Sequence, residues 1–136
     1  MIQYLKWGSK YTIGIGIFDE QHKKIMCLLN QLLGAINRSG KTEKCREILD
    51  ELIPYSTAHF AAEEEAMKKF NYPHYKKHCE EHIEIKTKIG ELYKGCKEGN
   101  MPQTVEILKF ITHWMDNHLT NDDINYAPFL IKKGFK

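Results

Sequence analysis

No apolar run in this chain approaches the ~18–20 residues needed to cross a bilayer, and the opening "MIQYLKWGSK" has no apolar signal core. Neither a membrane anchor nor a secretory leader is expected, and a cytoplasmic location is. Charge of one sign is lacking as well. Net charge is +2, and 20 basic and 18 acidic side chains are spread along the whole sequence. There is no polybasic surface and no acidic tail, so no nucleic-acid or membrane partner is expected. Paired cysteines are missing. Cys27, Cys45, Cys79 and Cys96 stand apart with no Cys-x-x-Cys. In a reducing compartment they read as small, partly buried hydrophobes and not as disulfides. Low-complexity segments and credible strand pairs are absent too.

What is present is a helical periodicity. The 136 residues fit one domain, 1–136. A glycine-rich stretch through "YTIGIGIFDEQH" predicts an irregular N-terminal arm, with Asp19 as the N-cap of a first helix from about 20 to 37. Ile25, Met26, Leu29, Leu33 and Ile36 recur along it at three- and four-residue steps. "NRSGK" ends it. A second helix starts near Thr42 with Cys45, Ile48, Leu49 and Leu52, and resumes beyond Pro54 through Met67 and Phe70. Pro54 should bend or interrupt it, because proline removes a backbone bond and crowds the preceding turn. "NYP" is a break, and Pro73 suits the first turn of a third helix from about 73 to 95, with Ile85, Ile89 and Leu92. A fourth carries Val105, Leu108, Ile111, Met115 and Leu119, and a short tail helix is expected around "NYAPF". Short connections make neighbours antiparallel. The expected fold is all-α: an up-down-up-down four-helix bundle with an N-terminal arm and a short C-terminal helix.

The histidines do not behave like a solvated face. A four-residue helical step returns to within about 40° of the starting direction. His59 can therefore converge with Glu63, and His78 with His82. Each ionisable group also extends an apolar stripe. Leu52 leads to His59 and Glu63, His78 and His82 lead to Ile85, His22 precedes Ile25, and Met115 precedes His118. In an antiparallel bundle these helix ends share one level, so four helices deliver polar groups to one buried layer. A hydrogen-bonded core network would be the bland explanation for any single histidine. For the set, unpaired burial is too costly, and neutral imidazoles with carboxylates are metal ligands. His22, His59, His78, His82 and His118, with Glu63 and an aspartate at 122 or 123, are too many for one four-coordinate ion. They suit two metals bridged by two carboxylates. His74, His113, Glu64 and Glu65 are expected outside this set, facing solvent.

The segments "GIGIFDEQHKK", "HFAAEEEAM", "YPHYKKHCEEH" and "HLTNDDINY" resemble the four signature segments of the hemerythrin family, from Trp7 to Tyr126. The resemblance implies a non-haem di-iron oxygen carrier. It implies one iron held by His78, His82 and His118 and a second by His22 and His59. Glu63 and Asp123 would bridge them with an oxo or hydroxo group. The family spacing, histidine then aspartate five later then tyrosine three beyond, selects Asp123 over Asp122, which is left as a surface carboxylate of little weight. Ile25, Phe60, Trp114 and Met115 are implied to line an apolar oxygen pocket, with Met115 standing where the family pattern has leucine. The implied function is reversible dioxygen binding for storage or delivery, not enzymatic catalysis, with an oxygen-consuming enzyme as recipient. The competing expectations are an oxygen or redox sensor acting through a separate partner, and a di-iron oxidase or peroxidase. The histidine-rich donor set, without Glu-x-x-His, favours binding over oxygen activation.

Overall fold

A computed structural model describes residues 5–38 and 42–135. The chain is built from helices α1 (Gly16–Arg38), α2 (Thr42–Lys69), α3 (Tyr75–Glu98) and α4 (Met101–Asn117), then a π-helical turn (His118–Asp123) and α5 (Ile124–Lys132). A short 3-10 turn, Ser9–Tyr11, lies in the N-terminal arm. α1 packs on α2, α2 on α3, α3 on α4, and α4 back on α1. This is the expected antiparallel four-helix bundle, with no strand among the described residues. The end of the α1–α2 connection, at 39–41, lies outside the described residues.

Local details depart from expectation. α1 starts at Gly16, so Asp19 sits in its first turn and is not its N-cap. The carboxylate turns back instead and accepts the N–H groups of Ile13 at 2.8 Å and Gly14 at 3.2 Å. It fastens the arm, whose Ile13 and Ile15 are buried. α2 continues through Pro54 without interruption. Pro54 and Asp50 are both exposed, so the carbonyl left without a partner faces water. Pro73 is not in the first turn of α3. Asn71, in the left-handed region at φ 57°, closes α2, and the Tyr72 N–H reaches the Met67 carbonyl at 2.9 Å. That turn uses Pro73 and His74 before α3 can begin. The tail helix begins at Ile124, directly from the π-turn.

The α3–α4 corner shows why particular residues are needed. Gly99, at φ 76°, ends α3 in a conformation that disfavours a side chain. Asn100 caps α4 by accepting the Gln103 N–H at 3.3 Å. At Gly95 a Cβ would lie 2.6 Å from Thr104 Oγ1, so only glycine allows this helix approach.

Two separate hydrophobic clusters form. The larger fills the bundle between α1 and α4, around Leu29, Leu33, Leu49, Leu52, Ile85, Leu92, Leu108 and Ile111. The smaller gathers Ile13, Ile15 and Phe18 from the arm and α1, Ala66 and Met67 from α2, and Tyr126, Ala127 and Leu130 from α5. Buried polar side chains touch both. The ring of Phe18 meets His59 edge-on at 5.8 Å, and that of Phe60 stacks on His82 at 4.3 Å.

Candidate metal centre

His22, His59, Glu63, His78, His82, His118 and Asp123 all meet in one layer, and none is more than 4% exposed. They come from α1, α2, α3 and the π-turn. Their Nε2 atoms face two carboxylates. Glu63 Oε1 lies 3.1 Å from His59 and 3.5 Å from His82, while Oε2 lies 3.5 Å from His22. Asp123 divides more cleanly. Its Oδ1 faces His118 at 2.9 Å and His78 at 3.2 Å, and its Oδ2 faces His22 at 3.2 Å. His74 and His113 are exposed and stand apart from this layer.

The π-turn resolves a conflict between geometry and spacing. In a regular α-helix a residue five after His118 points about 140° away from it. Over His118–Asp123 the helix is under-wound, and the five-residue step comes back to the same face. Asp123 thus reaches the inner nitrogen of His118. Asp122 reaches the outer one, with Oδ2 3.2 Å from Nδ1.

The chemistry of these donors fits a cation. All five Nε2 atoms, with Glu63 Oε1 and both Asp123 oxygens, are buried without a hydrogen-bond partner. Proximity without hydrogen-bond alignment leaves their lone pairs unsatisfied, which is costly in an interior. The donors fall into two groups, each with ligand atoms within 4.8 Å of one another: His78, His82, His118 and Glu63, and His22, His59 and Glu63. Glu63 belongs to both.

A family model described as the hemerythrin HHE cation binding domain matches residues 13–130. The chain belongs to the hemerythrin family. It is 32% identical over 123 residues to a bacteriohemerythrin of Stenotrophomonas maltophilia, covering 90% of this chain and 79% of that one. A bacteriohemerythrin of Methylococcus capsulatus is 29% identical over 123 residues, covering 90% and 93%. A hemerythrin-like protein of Naegleria gruberi is 31% identical over 125 residues, covering 91% and 92%. The crystal structure of a wild-type hemerythrin superposes with a TM-score of 0.82 at 26% identity, over 94% of this chain and 98% of that one. Among the described residues no helix is long and apolar enough to cross a membrane. The four pocket candidates of the hemerythrin pattern lie on the bundle side of the layer. Ile25, Phe60 and Met115 are buried in the large cluster, and Trp114 is half-buried against it. Trp114 stacks on the His118 ring at 4.2 Å, and Phe60 lies 6.4 Å from Trp114.

The outward nitrogens have partners that periodicity did not single out. Gln21 Oε1 is 2.5 Å from His59 Nδ1, and Glu64 Oε2 is 3.0 Å from His82 Nδ1. With Asp122 on His118, these contacts hold the proton on Nδ1 and aim Nε2 inward. Tyr126, fully buried, donates its hydroxyl to Glu63 Oε2. Glu64 and Asp122 are therefore not idle surface charges, because each holds a ring. The signal that finds them is a glutamine, glutamate or aspartate one position from the apolar stripe, where it meets the outer edge of an imidazole. Glu64→Ala should weaken metal binding about 10–100-fold, the usual value of such an outer partner. Glu65→Ala, at an exposed position, should leave it unchanged. A competition titration with a chromophoric chelator distinguishes them.

Without metal the centre is a web of ion pairs. Burial alone would lower the His22 pKa, but the adjacent Asp123 and Glu63 carboxylates outweigh it and raise it to about 9. Burial would raise the Glu63 carboxyl, yet the neighbouring His59, His22 and His82 rings hold it well below the usual range. Burial and the neighbouring Glu63 would raise Asp123, and His118 and His22 bring it well below. The carboxylates are thus already ionised at pH 7, while His22 carries a proton that a metal must displace. Metal uptake should release protons and tighten as pH rises toward about 9. Affinity that stays flat from acid to alkaline pH, or no proton release to an indicator dye, would contradict this account.

Proposed function

We propose that this chain binds dioxygen reversibly at a pair of iron ions, for oxygen storage or delivery. The observation that carries the reading is the division of six buried donors into two groups that share one carboxylate, Glu63. His78, His82 and His118 would hold one ion, and His22 and His59 the other. Glu63 and Asp123 would lie between them with an oxo or hydroxo group. The two oxygens of Asp123 face opposite groups, as a bridging ligand requires. An iron pair, when bound, supplies the two electrons that dioxygen takes up and returns. Five neutral imidazoles against two carboxylates suit binding better than oxygen activation, whose sites are carboxylate-rich.

The chain's own residues do the rest. Gln21, Glu64 and Asp122 fix the protons on the outer nitrogens of three rings. Tyr126 holds Glu63 in place. Phe60 and Trp114 lie flat against His82 and His118 and set the planes of those rings. With Ile25 and Met115 they make an apolar lining that keeps water from the centre. Three histidines against two leave the smaller group one donor short, and that side is where dioxygen fits. In this reading residues 1–136 form one hemerythrin domain that works in the cytoplasm and hands oxygen to an oxygen-consuming enzyme.

The test is an absorption spectrum of the anaerobically reduced protein, then after air, then after removal of oxygen. A visible charge-transfer band that appears and disappears over repeated cycles, with two irons per chain, is the expected result. One zinc and no iron, or a single irreversible bleaching, would sink the proposal.

A further inference from the structure

The seven donors are sealed from solvent, so an ion needs a way to reach them. A cleft of about 480 Å³ opens beside the centre, between the α2–α3 turn and the π-turn with α5. Tyr72, His74, Lys77, His78, Glu81 and Asp122 are among its walls. His78 belongs to both places. It is 4% exposed, it lines the cleft, and its Nε2 has no hydrogen-bond partner.

The cleft floor carries more negative charge than it can pair. Glu81 Oε2 lies 3.3 Å, and Asp122 Oδ2 3.2 Å, from the same His118 Nδ1. One ring N–H can serve one of them. Asp122 takes it, and Glu81 Oε2 stays buried without a hydrogen-bond partner. Burial, and then the charges of Asp122, Asp123 and Glu81, push the Tyr72 phenol up, so the cleft wall senses that negative field. Lys77 stands at the rim, its side chain 73% exposed and its Nζ 4.0 Å from Glu81. Such a contact is weak and easily displaced.

We propose that this cleft is the path by which a divalent metal ion reaches the buried layer. Glu81 and Asp122 draw the hydrated ion from water, and His78 is the first buried imidazole it meets. The proposal rests on reading the centre as a two-metal site. At about 30 Å³ per water, an ion with six waters needs roughly 180 Å³. The cleft therefore admits it before any water is shed. The carboxylates of the floor then replace part of the hydration shell, and the unpartnered donors of the layer take up the ion.

The experiment is stopped-flow uptake of Co²⁺ by the full, metal-free chain, with bound metal counted at the end. Lys77→Glu should speed uptake about 10-fold at low ionic strength, and the gain should vanish in high salt. Glu81→Gln should slow uptake about 10-fold. Lys94→Glu makes the same charge change about 26 Å along α3 and should leave the rate alone. Equal rates for Lys77→Glu and Lys94→Glu overturn the route. So does a Glu81→Gln chain whose affinity drops while its uptake rate holds, since Glu81 would then only orient His118. Wild-type chain that binds fewer than two Co²⁺ defeats the reading of the centre, and the route with it. Two bound ions with equal variant rates defeat the route alone.

Discussion

A Glu63→Ala chain should purify with neither metal in place, while Glu65→Ala keeps both. Glu63 is 0% exposed and stands between the two donor groups, with contacts to His59, His82 and His22. Removing it takes a donor from both groups at once. It also leaves the positive charge of any bound ions under-compensated in an interior that punishes charge. The loss should exceed the about 10–100-fold that an outer partner is worth. The variant also strands the Tyr126 hydroxyl, which donates to Glu63 and is fully buried. Glu63→Gln separates these effects. It keeps an acceptor for Tyr126 but lacks the charge, so it should fold better than Glu63→Ala and still fail to load. Metal analysis with thermal melts reads both. A Glu63→Ala chain that retains one firmly held metal would show that the carboxylate serves one group only.

Asp123→Asn should abolish the visible charge-transfer band of the iron-loaded protein, and Asp122→Asn should weaken metal binding without abolishing it. The two residues are neighbours, yet they address opposite edges of one ring. Asp123 Oδ1 is 2.9 Å from His118 Nε2, and Asp122 Oδ2 is 3.2 Å from His118 Nδ1. Asparagine at 123 removes a charge that faces both donor groups. Asparagine at 122 still offers a carbonyl oxygen to the ring N–H, so the tautomer survives with a weaker hold. Iron content and the absorption spectrum of both variants decide the matter. Loss in Asp122→Asn with retention in Asp123→Asn would reverse the roles.

The bundle was legible because each helix repeats its apolar residues at one pitch, as Ile25, Met26, Leu29 and Leu33 do. The meeting of seven ionisable side chains in one buried layer was legible for the same reason, since they continue those stripes where an apolar residue would ordinarily stand. Three things were not. The π-turn has no periodic signature, and its only trace is a five-residue gap that regular geometry cannot explain. Pro54 looked like a break, because the sequence does not say that its missing bond faces water. The outer partners hid among ordinary surface charge. Glu64 sits between Glu63 and Glu65, and only the position of His82 on another helix tells them apart. Such roles depend on a neighbour across the bundle, which a one-dimensional pattern does not carry.

The polar layer lies where the two hydrophobic clusters would otherwise have merged. The larger cluster is a self-sufficient stack of four helices. The smaller depends on the arm and on a nine-residue helix, too short to stand unaided. Metal in the layer therefore acts as a rivet between a strong body and a weak cap, and cooperativity of unfolding becomes a function of occupancy. The loaded chain should melt in a single transition. The metal-free chain should lose its cap first, with the amides of Ile124–Lys132 exchanging with solvent well before those of the long helices. Amide exchange that stays uniform along the metal-free chain would mean that the cap holds without its rivet.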